Sequence, residues 1–158
     1  DVIVVARPDQ DLDQAGARIV RDRPGYAGVL AGMAAGLDAA RHAWSLVVAC
    51  DMPFLDLDLL RYMISLTDGP DIVVPRLEVG LEPLHALYHR RCLPSIREAL
   101  GGGRGRVVRF YEGHGVRYVE LDEIARFAPQ GRTFFNINSP EDLAQAQEWL
   151  AAERARDL

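Results

Sequence analysis

Residues 45–50, Ser-Leu-Val-Val-Ala-Cys, form an unbroken apolar run that stops at Asp51-Met52-Pro53. A run without polar alternation predicts a strand covered on both faces, as in a parallel sheet sandwiched between helices. Shorter β-branched stretches occur at Val2–Ala6 and Asp71–Pro75, with further strands predicted over Leu84–Tyr88 and Val116–Leu121. Helical spacing separates several of them. Leu30, Met33, Ala34 and Leu37 recur within a predicted helix from Gly28 to His42, and Leu59, Leu60, Met63 and Leu66 within Asp56–Leu66. Helical character returns over Cys92–Leu100 and Val107–Tyr111, and Ser139-Pro140-Glu141-Asp142 is a helix start with a serine cap and proline at N1. This alternation predicts an α/β fold, a three-layer sandwich around a mostly parallel sheet.

Length and composition narrow the class. At 158 residues the chain fits one domain, spanning 1–158. Mean hydropathy of −0.05 and 26% charged residues describe a soluble globular protein, with no apolar run near the ~18 residues of a membrane span. A net charge of −5 disfavours nonspecific nucleic-acid binding, which needs a basic surface. Small-molecule partners are expected instead. Cys50 and Cys92 make no metal motif and no disulfide framework, which fits a reducing cytoplasm. The chain contains no lysine, so all 18 basic residues are arginine. A P-loop lysine and a Schiff-base lysine are therefore excluded within it.

Ligands in open α/β sheets bind beyond the carboxyl ends of the strands. Asp51 is the leading candidate there, since a carboxylate after a buried strand suits Mg2+ held together with substrate phosphates; capping of the next segment is the competing role. Asp22 follows Ala17–Val20 in an Arg-Asp-Arg-Pro-Gly loop. Asn136 and Asn138 alternate on a predicted strand before a helix, so both amides are expected on one face; an Asx turn plus the Ser139 cap is the plainer account. Gly28, Gly32 and Gly36 lie four apart, a bare helical face that lets a strand or a ligand approach. Arg104, Arg106 and Arg109 flank a glycine-rich tip and suit phosphate recognition, although solvation explains any one of them. His85, with Glu82 nearby, is read equally as a core histidine or a site residue. His42, His89 and His114 show no zinc-site spacing.

Taken together, the segments RDRPGYAGVLAGMAAGL (21–37), VVACDMPFL (47–55), EPLHALYHRRCLPSI (82–96), GRGRVVRFY (103–111) and FFNINSPEDL (134–143) resemble the molybdenum cofactor guanylyltransferase family. The resemblance implies a Rossmann-like nucleotidyltransferase that transfers GMP from Mg-GTP to molybdenum-molybdopterin and releases pyrophosphate. It implies Asp51 as the Mg2+ and nucleotide-phosphate aspartate, with Mn2+ as an alternative ion, and Asp22 and Gly28 at the GTP site. Gly32, Pro53, Arg106, Asn136 and Asn138 fall on the pterin side, with Asn138 also a metal ligand. Cofactor-delivery proteins and acceptor molybdoenzymes are the implied transient partners.

The family opens with a strand and a loop of the type LAGGxSxRMGxxK, which this sequence lacks. Val2–Ala6 matches the family's second strand, so the N-terminal strand and nucleotide loop are expected to be missing. Val5 stands where some members carry a nucleotide-contacting asparagine. Two alternatives stay open: a molybdopterin cytidylyltransferase or other sugar or cofactor nucleotidyltransferase, and a noncatalytic pterin-binding domain. The missing loop also leaves open that this chain alone is inactive.

Overall fold

The computed structural model describes residues 1–7, 9–10, 12, 16–22, 28–101 and 107–155. In chain order it places β1 (Ile3–Ala6), β2 (Arg18–Arg21), α1 (Val29–Ala39), β3 (Trp44–Val48), α2 (Leu57–Ser65), β4 (Ile72–Leu77), β5 (Gly80–Leu81) and β6 (His85–His89). Then come α3 (Leu93–Gly101), β7 (Val116–Val119), α4 (Leu121–Ile124) and α5 (Pro140–Arg154), with 3-10 turns at Arg90–Cys92, Val107–Tyr111 and Arg132–Phe134.

Alternation along the central strands sets the layers. In β4, Ile72 and Val74 face one side and Val73 the other; in β6, Ala86 and Tyr88 oppose Leu87 in the same way. The first side packs under Leu30, Met33 and Leu37 of α1 and Ile96 of α3, with Phe110 and Tyr111. The second packs under Leu59, Leu60 and Met63 of α2 and Ile124 of α4. The result is a three-layer α/β sandwich with both sheet faces covered.

The main sheet has β3, β6 and β4 side by side, with β7 pairing β4 in parallel and the short β5 extending the far end of β4. β6 is antiparallel to both β3 and β4, so β3, β4 and β7 share one direction and β6 runs against them. The reversal has a simple cause. Only residues 78–84 separate β4 from β6, whereas a parallel return needs a crossover of roughly a dozen residues or more. The chain instead turns at Gly80, whose φ of 136° favours glycine.

β1 and β2 form a separate parallel pair. Among the described residues β1 pairs only with β2, and β3 only with β6. α1 packs against both β1 and β2 as well as α3, and so spans the two sheets.

Several element boundaries differ from expectation, among them the strand read as Val116–Leu121, which stops at Val119 where Glu120 caps α4. α1 ends at Ala39 rather than His42, where arginines take the terminal carbonyls: Arg18 donates to Ala39 O at 2.7 Å and Arg90 to Ala40 O at 2.9 Å. β3 ends at Val48, and the chain turns through Cys50 and Asp51.

Candidate active site

Asp51 lies three residues beyond β3. Ala49 N–H still bonds Leu84 O across the sheet at 3.0 Å, and Met52 N–H turns back to Ala49 O at 3.4 Å. The loop that follows is pinned at both ends to one segment. Ile137 N–H donates to Asp51 O at 2.9 Å, and Asp56 N–H donates to Thr133 Oγ1 at 3.2 Å. Asp56 also caps α2, its Oδ1 accepting from Asp58 N–H at 3.0 Å and Leu59 N–H at 2.8 Å. Thr133 is buried. Thus residues 51–56 and 133–137 form a two-point clamp, with Phe54 against Phe135 inside it at 6.5 Å between ring centroids.

Trp149 of α5 closes the outer side of the clamp. It meets Phe135 at 4.8 Å and Phe54 at 5.6 Å, and the Arg132 guanidinium lies over its ring at 4.6 Å. This aromatic group ties the C-terminal helix to the Asp51 loop.

Buried polar atoms without partners occur at three of the candidate residues, and also at Arg18, whose Nε lies at the opposite end of β2 from Asp22. Among the described residues, Asp51 Oδ1, Asp22 Oδ1 and both ring nitrogens of His85 are buried and unpaired. Each such atom costs about 1–3 kcal/mol, a penalty that folded proteins usually avoid. Two orphaned carboxylate oxygens are hard donors suited to a divalent cation, so these residues fit Mg2+. Among the described residues no cluster of three or more histidine, cysteine or acidic groups forms a metal cage.

The other expected residues divide. Asp22 directly follows β2, its N–H bonding Ala6 O at 3.2 Å. Gly28 is the residue preceding α1, with φ 92° and open space where a Cβ would point. A Cβ at Gly32 would sit 3.9 Å from Val5 Cγ1, an ordinary contact, whereas one at Gly36 would press to 3.3 Å from Val5 Cγ2. The bare helical face therefore receives β1, and Val5 is its knob. Pro53 is exposed in the Asp51 loop. Arg106 and Arg104 lie outside the described residues; Arg109 is exposed on the 3-10 turn.

The asparagines do not sit on a strand. Residues 135–138 enter no ladder, because Phe134 ends a 3-10 turn and Asp142 takes the amides that follow. Asn136 Nδ2 donates to Phe134 O at 3.2 Å, an Asx-like local bond. Asn138 is exposed, and its backbone N–H donates to Asp142 Oδ2 at 3.0 Å. Ser139 and Asp142 complete a capping box, and the backbone N–H of Asn138 followed by the Ser139 hydroxyl holds the Asp142 carboxyl below its usual range. Proximity to Asp51 comes instead from Ile137, between the two asparagines. Sequence reasoning missed Thr133, Phe135 and Trp149, which carry no spacing signal.

The mixed α/β sandwich, with orphaned carboxylates after β2 and β3, matches over residues 1–117 the family described as the MobA-like NTP transferase domain, which makes it a nucleotidyltransferase-type domain. A probable molybdenum cofactor guanylyltransferase of Pelotomaculum thermopropionicum is 37% identical over 156 residues, covering 99% of this chain and 75% of that protein. The molybdenum cofactor guanylyltransferase of Desulfosudis oleivorans is 34% identical over 155 residues, covering 98% and 77%. The crystal structure of molybdopterin-guanine dinucleotide biosynthesis protein A from Archaeoglobus fulgidus superposes with a TM-score of 0.75 at 28% identity, covering 86% of this chain and 69% of that one. The chain belongs to the molybdenum cofactor guanylyltransferase family, and it spans about three quarters of the length of these two relatives.

Proposed function

We propose that this chain, as one domain spanning residues 1–158, is a guanylyltransferase that moves GMP from GTP onto molybdenum-molybdopterin and releases pyrophosphate. The observation carrying the reading is the orphaned Asp51 carboxylate oxygen in a loop clamped to the Asn136–Asn138 segment. Asp51 and Asp22 would hold Mg2+ with the nucleotide phosphates, and Asn138 would reach the same ion from the pterin side. When bound, the ion supplies positive charge against the phosphate oxygens.

In the reaction an oxygen of the terminal pterin phosphate forms a bond to the α-phosphorus of GTP. The bond from that phosphorus to the α,β-bridging oxygen breaks, and pyrophosphate leaves in line. The protein contributes position rather than a nucleophile. The clamp fixes the direction of the Asp51 carboxylate, and Gly28 leaves backbone space for a phosphate at the start of α1. Asn136, Pro53 and Gly32 are assigned to the pterin side, and Arg106 to its phosphate. Soluble small-molecule substrates and transient contacts with cofactor-delivery proteins and acceptor molybdoenzymes in the cytoplasm complete the reading, without nucleic acid. No described helix is long and apolar enough to cross a membrane.

The test is GMP transfer from labelled GTP to molybdenum-molybdopterin with Mg2+, using this chain and a version extended upstream. Asp51→Asn is expected to lower transfer by about two to three orders of magnitude while the fold is kept. Transfer undiminished by that change would remove Asp51 from the role, and preference for CTP over GTP would overturn the choice of base.

A further inference from the structure

His85 opens β6 at the end of the main sheet where β3 delivers Asp51, and it pairs across the ladder with Val48. Its relative exposure is 0%, yet neither Nδ1 nor Nε2 has a partner among the described residues. An aliphatic side chain would fill this place without that penalty. The imidazole ring meets Phe134 edge-on, with centroids 4.9 Å apart. Phe134 lies between Thr133 and Ile137, the two anchors of the clamp, and Asp56 at the far end of the loop is near enough for its charge to act on the ring. A polar ring with an open donor and an open acceptor thus underlies the loop that carries Asp51.

Resting on the guanylyltransferase reading, we propose that His85 is a positioning residue: hydrogen bonds from its ring, relayed by enclosed water to the Asp51–Asp56 loop, hold Asp51 in its working orientation. Buried polar groups of this kind are ordinarily satisfied by internal water. Burial pushes the imidazole down to about 4, against the opposing pull of Asp56, so the ring is neutral in ordinary buffers and offers one donor and one acceptor. Its role is therefore to orient, without gaining or losing a proton. Strained or unsatisfied groups retained beside functional loops commonly sacrifice stability for geometry.

The experiment compares wild type, His85→Leu and His85→Gln in the protein that supports transfer, reading thermal midpoint without ligands, kcat and KM for GTP. His85→Leu is expected to keep or raise the midpoint while kcat falls by about tenfold or more and KM stays within about threefold. His85→Gln, which restores a donor and an acceptor, is expected to recover most of kcat. Wild-type kcat in His85→Leu, or a glutamine no better than leucine, overturns the proposal. If His85→Leu fails to fold, glutamine alone decides: near-wild-type kcat supports the role and its loss overturns it.

A second readout separates this inference from the functional reading. Nitrogen NMR of the His85 ring is expected to show a slowly exchanging, hydrogen-bonded N–H in wild type. A fast-exchanging, unbonded ring proton overturns the proposal whether or not the protein transfers GMP. A wild type that transfers none overturns the functional reading alone.

Discussion

The main-chain N–H of Ile137 donates to the main-chain carbonyl of Asp51 at 2.9 Å, joining two loops 86 residues apart in sequence (137 − 51). The bond uses backbone atoms only, so side-chain changes at either residue leave it intact. Ile137→Pro removes the donor. We expect a stability loss of about 1 kcal/mol but a larger relative fall in GMP transfer, whereas Ile137→Val is expected to preserve both. Equal activity in the two variants would show that the clamp does not orient Asp51.

Helix α1 and strand β1 make a second pairing that can be tested without an activity assay. An alanine at Gly36 would press its Cβ to 3.3 Å from Val5 Cγ2. Gly36→Ala is expected to cost about 1–3 kcal/mol from overpacking, partly offset by the better helix propensity of alanine. Val5→Ala in the same chain should relieve the clash. The two changes are therefore expected to be non-additive in a double-mutant cycle of thermal stability.

Gly28 tests backbone conformation rather than packing. With φ 92° and nothing within 4 Å of a built Cβ, Gly28→Ala meets no obstacle except its own dihedral angle. A loss of about 1–3 kcal/mol is expected, read as a lower denaturant midpoint with an unchanged slope.

Acid stability should report the Glu123 network. Arg117 and the phenol of Tyr62 donate to Glu123, and Glu123 accepts the Glu120 N–H at 3.0 Å. The Arg117 hydrogen bond, set against burial and aided by the Glu120 amide, lowers the carboxyl from 4.5 to about 2. Because the folded value lies below the unfolded one, this group stabilises the protein above pH ~4.5 and loses that contribution as pH falls toward ~2. Glu123→Gln is expected to flatten the stability profile in that window and to leave the slope near neutrality unchanged.

At the opposite end of β4, Asp71, His114 and Ser95 form a hydrogen-bonded chain. His114 Nδ1 lies 3.3 Å from Asp71 Oδ2, and its Nε2 lies 2.9 Å from Ser95 Oγ. Arg91 Nε also donates to Asp71 at 2.6 Å. The chain stitches the start of β4 to α3 and to the turn before β7. Ser95→Ala and His114→Ala are each expected to cost about 1 kcal/mol, with a double variant losing less than the sum. Full additivity would separate the two contacts.

The legible parts of the fold were those where pattern and chemistry coincide. The capped helix beginning at Ser139 needs only local rules and stands where those rules put it, whereas the apolar run 45–50, read as covered on both faces, is the half-buried strand β3 with Leu46 exposed and an antiparallel neighbour. Strand direction is not local: Leu84–Tyr88 reads as a strand whichever way it runs, and only the short connection from β4 forces it to reverse. The glycines of α1 signal a close approach but not by what, and at Gly36 the answer is Val5. At Asn136 an extended pattern was mistaken for a ladder, because backbone partners cannot be read from composition. Thr133 gave no signal, since one threonine anchoring a remote amide belongs to no repeat. Arg106 lies outside the described residues.

An unpaired strand edge is a row of amides and carbonyls with the spacing to take up another strand. Among the described residues, two such edges belong to β1 and β3, whose sequences Ile-Val-Val-Ala and Trp-Ser-Leu-Val-Val contain no proline or charge to discourage it. Colloidal behaviour should therefore follow whatever segment lies along those edges. Left open, they would template oligomers in a concentration-dependent way, visible by light scattering well below the thermal midpoint.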